Sequence, residues 1–280
     1  MNLVAVALLV LYSNKFEFAN AQNYLRSKRS DPNYFENKLV SKNNYIHDQN
    51  QRASSDFDFY VLSMSFQPEF CHMHKHDEFP GCESPDDFWR NSLTLHGLWP
   101  EDNDGSWPST CTKEKFDPQV VSDLGSDRFF RLWPNVKASH HSKSYYSFWE
   151  HEWTKHGTCT GMSQDDYFDT VLKHFLPTPS FVGENYGMEV SASDLLSKYR
   201  ELDKYSDSSE DFGDVILVCS GGKYLSEVRV CVAKNKDGSG SQRIKCIDQV
   251  NDESNCANDI VIPKFYVDEV GDATIDLKVD

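Results

Sequence analysis

The sequence predicts an α+β fold: a central antiparallel sheet, helices packed mainly on one side of it, and disulfide bonds as braces. Strand-like segments occur in runs, and the helical segments are grouped between them. Of the 280 residues, 39% are hydrophobic and 13% aromatic, which is enough for one sizeable core. Eight cysteines in a chain with a secretory leader indicate four disulfides rather than metal ligands.

The N-terminus carries a predicted signal peptide, residues 1–21. Residues 3–12 form an apolar run that is too short to span a bilayer, and Ala19-Asn20-Ala21 provides the small-residue pattern of a cleavage site. An uncleaved anchor is the alternative. We expect no membrane association once the signal is removed.

Residues 22–55 are polar and without periodicity, which predicts a disordered leader or pro-segment. Arg26-Ser27-Lys28-Arg29 within it resembles a processing site for a furin-type convertase, and a basic tail that is never cut is the alternative. Residues 56–280 then form a single domain.

Each strand of that domain is predicted from apolar and polar alternation or from a short apolar run. The predicted strands are residues 57–66, 93–98, 215–219, 228–233, 244–247 and 260–262. Asp237-Gly238 and Gly240 predict the turn between two of the later strands.

Helices are predicted between these strands, from their caps and terminators. The predicted helices are residues 85–91, residues 145–156, a segment from Ser163 to about residue 175, and residues 193–200. Ser163 is an N-cap residue and Pro177 ends the helix that it opens.

Two motifs carry the chemistry. Residues 93–100 read Leu-Thr-Leu-His-Gly-Leu-Trp-Pro, and residues 148–159 read Phe-Trp-Glu-His-Glu-Trp-Thr-Lys-His-Gly-Thr-Cys. On a helix, Glu152 and His156 share one face because they are four residues apart, and His151 and Lys155 share the neighbouring face. The two glycines that follow histidines predict turns or close approaches of the backbone.

A zinc-protease helix is the obvious alternative for the second motif. Such a helix places two histidines four residues apart, with a glutamate beside the first. His151 and His156 are five residues apart, about 140° around a helix, so they cannot clasp one metal ion. We therefore predict no metal site and no cofactor.

Two histidines suit the cleavage of RNA by its own 2′-hydroxyl. That reaction needs a base for the hydroxyl proton, an acid for the leaving 5′-oxygen, and charge stabilisation on the phosphorane. Imidazole is the one unperturbed side chain that serves as acid and base between pH 5 and 8. His156 and His96 can take these two parts, and Glu152, Lys155 and His151 can hold and polarise the phosphate.

Both motifs resemble the two active-site motifs of the ribonuclease T2 (Rh/T/S) family of secreted and lysosomal endoribonucleases. The resemblance extends to about residue 265, before an acidic C-terminal tail. It implies that His156 is the general base, His96 the general acid, Glu152 and Lys155 phosphate polarisers, and His151 a phosphate-binding residue.

The resemblance also implies two base sites. The stacking tryptophan falls on Trp99 and the aromatic residue of the second base site on Phe148. Trp107 is a further candidate for a ring beside the base. Glu101 stands where the family often has an aspartate, a departure that bears on base preference.

The disulfide pairing also follows from the resemblance, since sequence alone allows 105 pairings of eight cysteines. The implied pairs are Cys71–Cys82, Cys111–Cys159, Cys219–Cys256 and Cys231–Cys246. A secreted protein, or one of the lysosomal or vacuolar lumen, is expected.

Charge limits what the chain can bind. The net charge is −16, and residues 1–55 hold seven of the 28 basic residues but only four of the 44 acidic ones. An acidic domain argues against duplex or DNA binding, but it permits a small cationic cleft for single-stranded RNA. We expect a monomer with a bell-shaped pH–rate profile and an acidic to mildly acidic optimum.

A secreted ribonuclease-like binding or toxin-like protein, whose effect does not depend on catalysis, is the alternative function.

Overall fold

A mixed sheet of seven strands organises the computed structural model, which describes residues 56–74, 79–140, 142–203 and 215–269. The strands are β1 (Phe59–Ser65), β2 (Thr94–Glu101), β3 (Glu189–Ser191), β4 (Ile216–Ser220), β5 (Tyr224–Lys234), β6 (Gly240–Ile244) and β7 (Asp259–Val261). The long strand β5 pairs with β1, β4, β6 and β7. These described pairs are antiparallel except for one parallel pair, Tyr224 with Val261. The predicted fold class is confirmed, with this one parallel contact added.

Helices fill the connections between the strands. They are α1 (Gln67–Met73), α2 (Pro80–Glu83), α3 (Asp87–Asn91), α4 (Gln119–Leu124), α5 (Ser126–Leu132), α6 (Ser147–Lys155), α7 (Gln164–Lys173), α8 (Ser180–Glu184), α9 (Ala192–Asp203) and α10 (Asp248–Asn251). Short 3₁₀ turns, Lys143–Tyr146 and Gly157–Cys159, flank α6. Within the described residues, none of the helices has the length and apolar character needed to cross a membrane.

The two faces of the sheet have different partners, because successive side chains of a strand point to opposite faces. Leu62 and Met64 of β1 lie in the main core, where α6 contributes Trp149 and Trp153, all four at most 1% exposed. The other face carries a smaller cluster that includes Phe59 and the Cys231–Cys246 bridge. The helices therefore pack mainly on one side, as predicted, and the opposite face carries this smaller cluster together with polar groups such as Ser63, Glu227 and Arg229.

Local signals located some elements closely. Ser163 caps α7 by accepting a hydrogen bond from the backbone N–H of Asp166. The predicted strand 244–247 was wrong: β6 ends at Ile244, which pairs with Cys231, and the chain then leaves the sheet to begin α10. His156 lies just beyond α6 rather than inside it, as the C-cap residue.

Several sequence predictions lie outside the described residues. These are the signal peptide, the leader with Arg26-Ser27-Lys28-Arg29, and the end of the acidic tail after residue 269.

All eight cysteines are bridged, in the four pairs that the family resemblance implies: Cys71–Cys82, Cys111–Cys159, Cys219–Cys256 and Cys231–Cys246. Cys159 lies in the 3₁₀ turn that follows α6. Beside this bridge, the N–H of Thr110 donates to the carbonyl of Lys155 at 2.9 Å, and the N–H of Cys111 donates to the Thr158 hydroxyl at 3.1 Å. The C-terminal end of α6 is thereby fastened to the segment around Cys111.

Removing this bridge should affect activity as well as stability. For the double variant Cys111→Ser, Cys159→Ser, which opens a loop of 48 residues, we expect the free energy of unfolding to fall by about 4 kcal/mol. Because the end of α6 is released, kcat for RNA should fall too. Thermal unfolding and steady-state kinetics measure the two effects.

The double variant Cys219→Ser, Cys256→Ser is the matched control. It opens a loop of 37 residues and should cost a similar free energy of unfolding while kcat is retained. Equal kcat in the two double variants would show that the Cys111–Cys159 bridge supports stability alone.

Candidate active site

A β-bulge in β2 brings His96 out of the core face of the sheet. Leu98 pairs with Leu62 and Gly97 with Ser63, but the next pair is Leu95 with Met64, so His96 is the extra residue. Both flanking leucines are buried in the main core. A bulge bends a strand and re-aims its side chains, and here it allows His96 and Gly97 to lie together away from the core.

Helix α6 delivers the second group of side chains. Its tryptophans face the core, which leaves Glu152 and the capping residue His156 beside β2. Glu152 is 1% exposed and His156 7% exposed. The backbone N–H of His156 donates to the carbonyl of Glu152 at 3.0 Å, which closes the last turn of the helix. The predicted proximity of the two residues is present, although His156 is no longer helical.

Trp99 joins the two motifs. Its indole N–H donates to Glu152 Oε2 at 3.1 Å, and its ring stacks on the His156 ring with centroids 5.4 Å apart and 29° between planes. The His96 ring meets Trp99 edge-on, with centroids 5.0 Å apart. We call His96, Trp99, Glu152 and His156 the Trp99 cluster. His96, Glu152 and His156 each contact Trp99 directly, so Trp99 fixes their spacing.

Glycine at position 97 makes this spacing possible. A Cβ atom there would collide with Glu152 Oε2 and with Trp99 Nε1. The predicted close approach of backbone at this position is therefore observed, and its purpose is to admit the Glu152 carboxyl.

The remaining predicted site residues differ in how directly they contact the Trp99 cluster. The ring of Phe148 has its centroid 5.8 Å from that of His96. His151 is exposed in part; partial burial of its ring lowers its pKa, and the nearby charges of Lys155 and His96 act in the same direction. Trp107 is 61% exposed and has no ring contact with the cluster within the described residues. Its role stays a prediction.

Glu101, at the end of β2, lies in an acidic setting. Burial and the charge of Glu253 raise the pKa of Glu101 to about 7, and Arg229 opposes them. The Glu101 carboxyl, which stands where the family often has an aspartate, can therefore be protonated in mildly acidic solution.

Three nearby residues were missed by sequence reasoning. Glu227 Oε1 lies 2.7 Å from His96 Nδ1, and the guanidinium of Arg229 lies 5.3 Å from the centre of the Trp99 ring. Lys137 adds positive charge near His151, and its ammonium lies over the ring of Phe70. Opposite charges two residues apart in a strand share one face, but the predicted strand began at Val228, one residue after Glu227, so the pair was not recognised; in the structure the strand begins at Tyr224.

The two histidines of the Trp99 cluster have opposite pKa shifts. Burial lowers the pKa of His156 to about 3, and nearby cations, Lys155 first among them, act in the same direction. Burial would also lower the pKa of His96, but the hydrogen bond to Glu227 and the charge of Glu152 outweigh it, so the net shift is upward from 6.5. In mildly acidic solution these shifts favour a neutral His156, which can accept a proton, and a charged His96, which can donate one.

Glu152 differs from an ordinary carboxylate. Burial raises its pKa to about 7, against the opposing effects of His96 and of the Trp99 hydrogen bond. Below that pH the carboxyl is protonated and can donate a hydrogen bond to an anionic oxygen. Within the described part of the chain, groups of three or more His, Cys, Asp or Glu side chains able to hold a metal ion do not occur.

Comparison with known proteins finds a matching family and similar ribonucleases. The sequence model of the Ribonuclease T2 family matches residues 57–246. Ribonuclease 1 of Arabidopsis thaliana is 32% identical to this chain over 222 residues, covering 76% of this chain and 89% of that protein. Extracellular ribonuclease LE of Solanum lycopersicum is 31% identical over 220 residues, covering 76% and 90%.

A solved structure agrees with the sequence relatives. The crystal structure of RNase NT in complex with 5′-AMP superposes with a TM-score of 0.57 at 25% identity, covering 75% of this chain and 100% of that one.

The opposite pKa shifts can be measured directly. In an NMR titration of the folded protein, with His96→Ala and His156→Ala used to assign the signals, we expect His156 to titrate well below 6.5 and His96 above it. The reversed order would overturn the assignment of base and acid.

Proposed function

This chain belongs to the ribonuclease T2 family and is an endoribonuclease, and we propose that it cleaves single-stranded RNA by attack of the ribose 2′-hydroxyl. The products are 2′,3′-cyclic phosphates and then 3′-phosphates, and the reaction uses side chains alone, without a metal ion. The observation that carries the proposal is the pair of histidines in contact with one tryptophan ring, with their pKa values shifted in opposite directions.

In the first step His156 takes the proton of the 2′-hydroxyl, whose oxygen then bonds to phosphorus. His96 donates its proton to the 5′-oxygen as the bond from phosphorus to that oxygen breaks. The low pKa of His156 and the raised pKa of His96 keep each ring in the required protonation state. In the hydrolysis of the cyclic phosphate the two histidines exchange roles: His96 takes a proton from water, which attacks phosphorus, and His156 donates a proton to the departing 2′-oxygen.

Charge on the phosphorane is met by three groups from α6. Glu152 donates a hydrogen bond while it is protonated, the ammonium of Lys155 contributes positive charge, and the imidazole of His151 donates a ring N–H to the phosphate. Few cations take part, which suits contact with one or two phosphates rather than with a long stretch of backbone.

The substrate follows from the chemistry. DNA lacks the 2′-hydroxyl that serves as nucleophile, and paired RNA cannot present its bases to the aromatic rings. We assign Trp99, Phe148, Glu101 and Trp107 to the binding of unpaired bases. The contacts of Trp99 within the cluster support a second part for it, that of holding His156 and Glu152 in place.

The compartment is proposed from the disulfides. Four bridges form and persist in an oxidising environment, which favours secretion or the lumen of a lysosome or vacuole over the cytosol. Relatives named extracellular and intracellular ribonuclease both occur among the similar proteins.

The proposal is tested by RNA cleavage at pH 5 to 7 in EDTA. Activity should survive the chelator, disappear with a 2′-O-methyl substrate, and fall by about 10²–10⁴-fold in His156→Ala, because a general base is lost. The exposed His140, which packs on Phe130 away from the Trp99 cluster, gives a control variant, His140→Ala, that should retain full activity. Loss of cleavage in EDTA would remove the metal-free mechanism. No cleavage at all by the fully disulfide-bonded protein would favour a binding role.

A further inference from the structure

His96 is held by a carboxylate from a distant part of the chain. Its Nδ1 atom lies 2.7 Å from Glu227 Oε1. The pKa of Glu227 is lowered to about 2, because the hydrogen bond and charge of His96, together with Arg229, outweigh the effect of burial. An ionised carboxylate only accepts hydrogen bonds, so Nδ1 of His96 carries the proton of this bond. The Nε2 atom is then the one left to serve the substrate.

The second oxygen of the same carboxylate is also engaged. Glu227 Oε2 accepts the Ser63 hydroxyl at 3.2 Å, Arg229 Nη2–H at 2.6 Å and Arg229 Nε–H at 3.0 Å. Ser63 and Arg229 are paired residues of β1 and β5, so all three side chains stand on adjacent strands. Arg229 is in turn paired with Glu253. The carboxylate is thus fixed to the sheet on one side and to the imidazole on the other.

Several other charges face His96. They are Arg229 from β5, together with His151, Glu152 and the cap residue His156 from α6. Glu152 shares its carboxyl with the Trp99 indole and is raised in pKa, while the other three are cations or can become cations. Below about pH 7, where Glu152 becomes protonated, Glu227 is therefore the carboxylate beside His96 that stays ionised and offsets them.

We propose that Glu227 is a positioning residue for the general acid, and that Ser63 and Arg229 hold it there. It orients the His96 ring so that Nε2 faces the 5′-oxygen, and it keeps His96 protonated. This inference rests on the proposed function, since it assumes that His96 donates the proton to the leaving group. Glu227 itself touches no reacting atom.

The test compares two leaving groups. In RNA the leaving group is the 5′-oxygen, an alkoxide that must be protonated by the acid. In a nucleoside 3′-(4-nitrophenyl phosphate) the leaving group is 4-nitrophenolate, which is stable enough to depart without an acid. For Glu227→Gln we expect the alkaline limb of the pH profile on RNA to move about one unit lower, so that kcat measured on that limb falls about tenfold or more. Cleavage of the nitrophenyl ester should change less than about threefold.

Asp268→Asn is the matched control. The Asp268 carboxylate binds Arg90 through two hydrogen bonds and accepts the Tyr186 hydroxyl, so it resembles the setting of Glu227 at a different place. The Asp268→Asn variant should be less stable than the parent protein, but its pH profile and its relative rates on the two substrates should not change. Should Glu227→Gln not fold, Glu227→Asp serves instead, because it keeps the charge beside Arg229 while withdrawing the oxygen from His96.

His96→Ala separates this inference from the proposed function. It should abolish RNA cleavage and spare the nitrophenyl ester; if it spares both, His96 is not the acid and the proposed function fails. If His96→Ala behaves as expected but the Glu227 variants match Asp268→Asn on both substrates at every pH, the positioning role alone is overturned. An NMR titration adds a direct reading, since the pKa of His96 should fall in Glu227→Gln.

Discussion

The single extra residue in β2 is the constraint on which the site depends. Strand alternation alone would return His96 to the core face, among the apolar side chains that pack on the helices. The bulge keeps Leu95 and Leu98 in the core and releases His96 and Gly97 together on the opposite face. Because Gly97 has no side chain, the Glu152 carboxyl can approach the strand and meet the Trp99 indole. One irregularity of the backbone thus allows two motifs, whose contacting residues Trp99 and Glu152 are 53 residues apart in the sequence, to share a small volume.

The electrostatic asymmetry of the site follows from what each histidine touches. His156 is buried beside cations, and its Nδ1 atom has no hydrogen-bond partner among the described residues, so its neutral form is favoured. His96 has a carboxylate at hydrogen-bond distance, so its charged form is favoured despite burial. Two identical side chains acquire opposite tendencies within one cluster. The fold produces this difference because His156 caps the end of α6, whereas His96 lies against the Glu227 carboxylate of β5.

Sequence reasoning reached the parts of the molecule in which local pattern decides structure. The Ser163 cap, the alternating strands and the spacing of Glu152 and His156 are written within short stretches of chain. The helices α1, α2, α4, α5, α8 and α10 were not predicted, because segments of four to seven residues depend on tertiary packing more than on propensity. Glu227 was missed for a different reason. Its partner His96 is 131 residues away, and the registers of β2 against β1 and of β1 against β5 together bring the two close.

The scarcity of cations around the Trp99 cluster has a consequence for how the protein holds and releases RNA. Among the described residues, Lys155, Lys137 and Arg229 supply positive charge there, and Arg229 is already paired with Glu227 and Glu253, within a chain of net charge −16. Each phosphate neutralised on a single strand displaces about 0.7 of a counterion. Contacts to at most three phosphates therefore give a slope of about −2 or less in a plot of log affinity against log salt. We therefore expect such an enzyme to tolerate wide changes in ionic strength and to dissociate readily between cuts instead of tracking along its substrate.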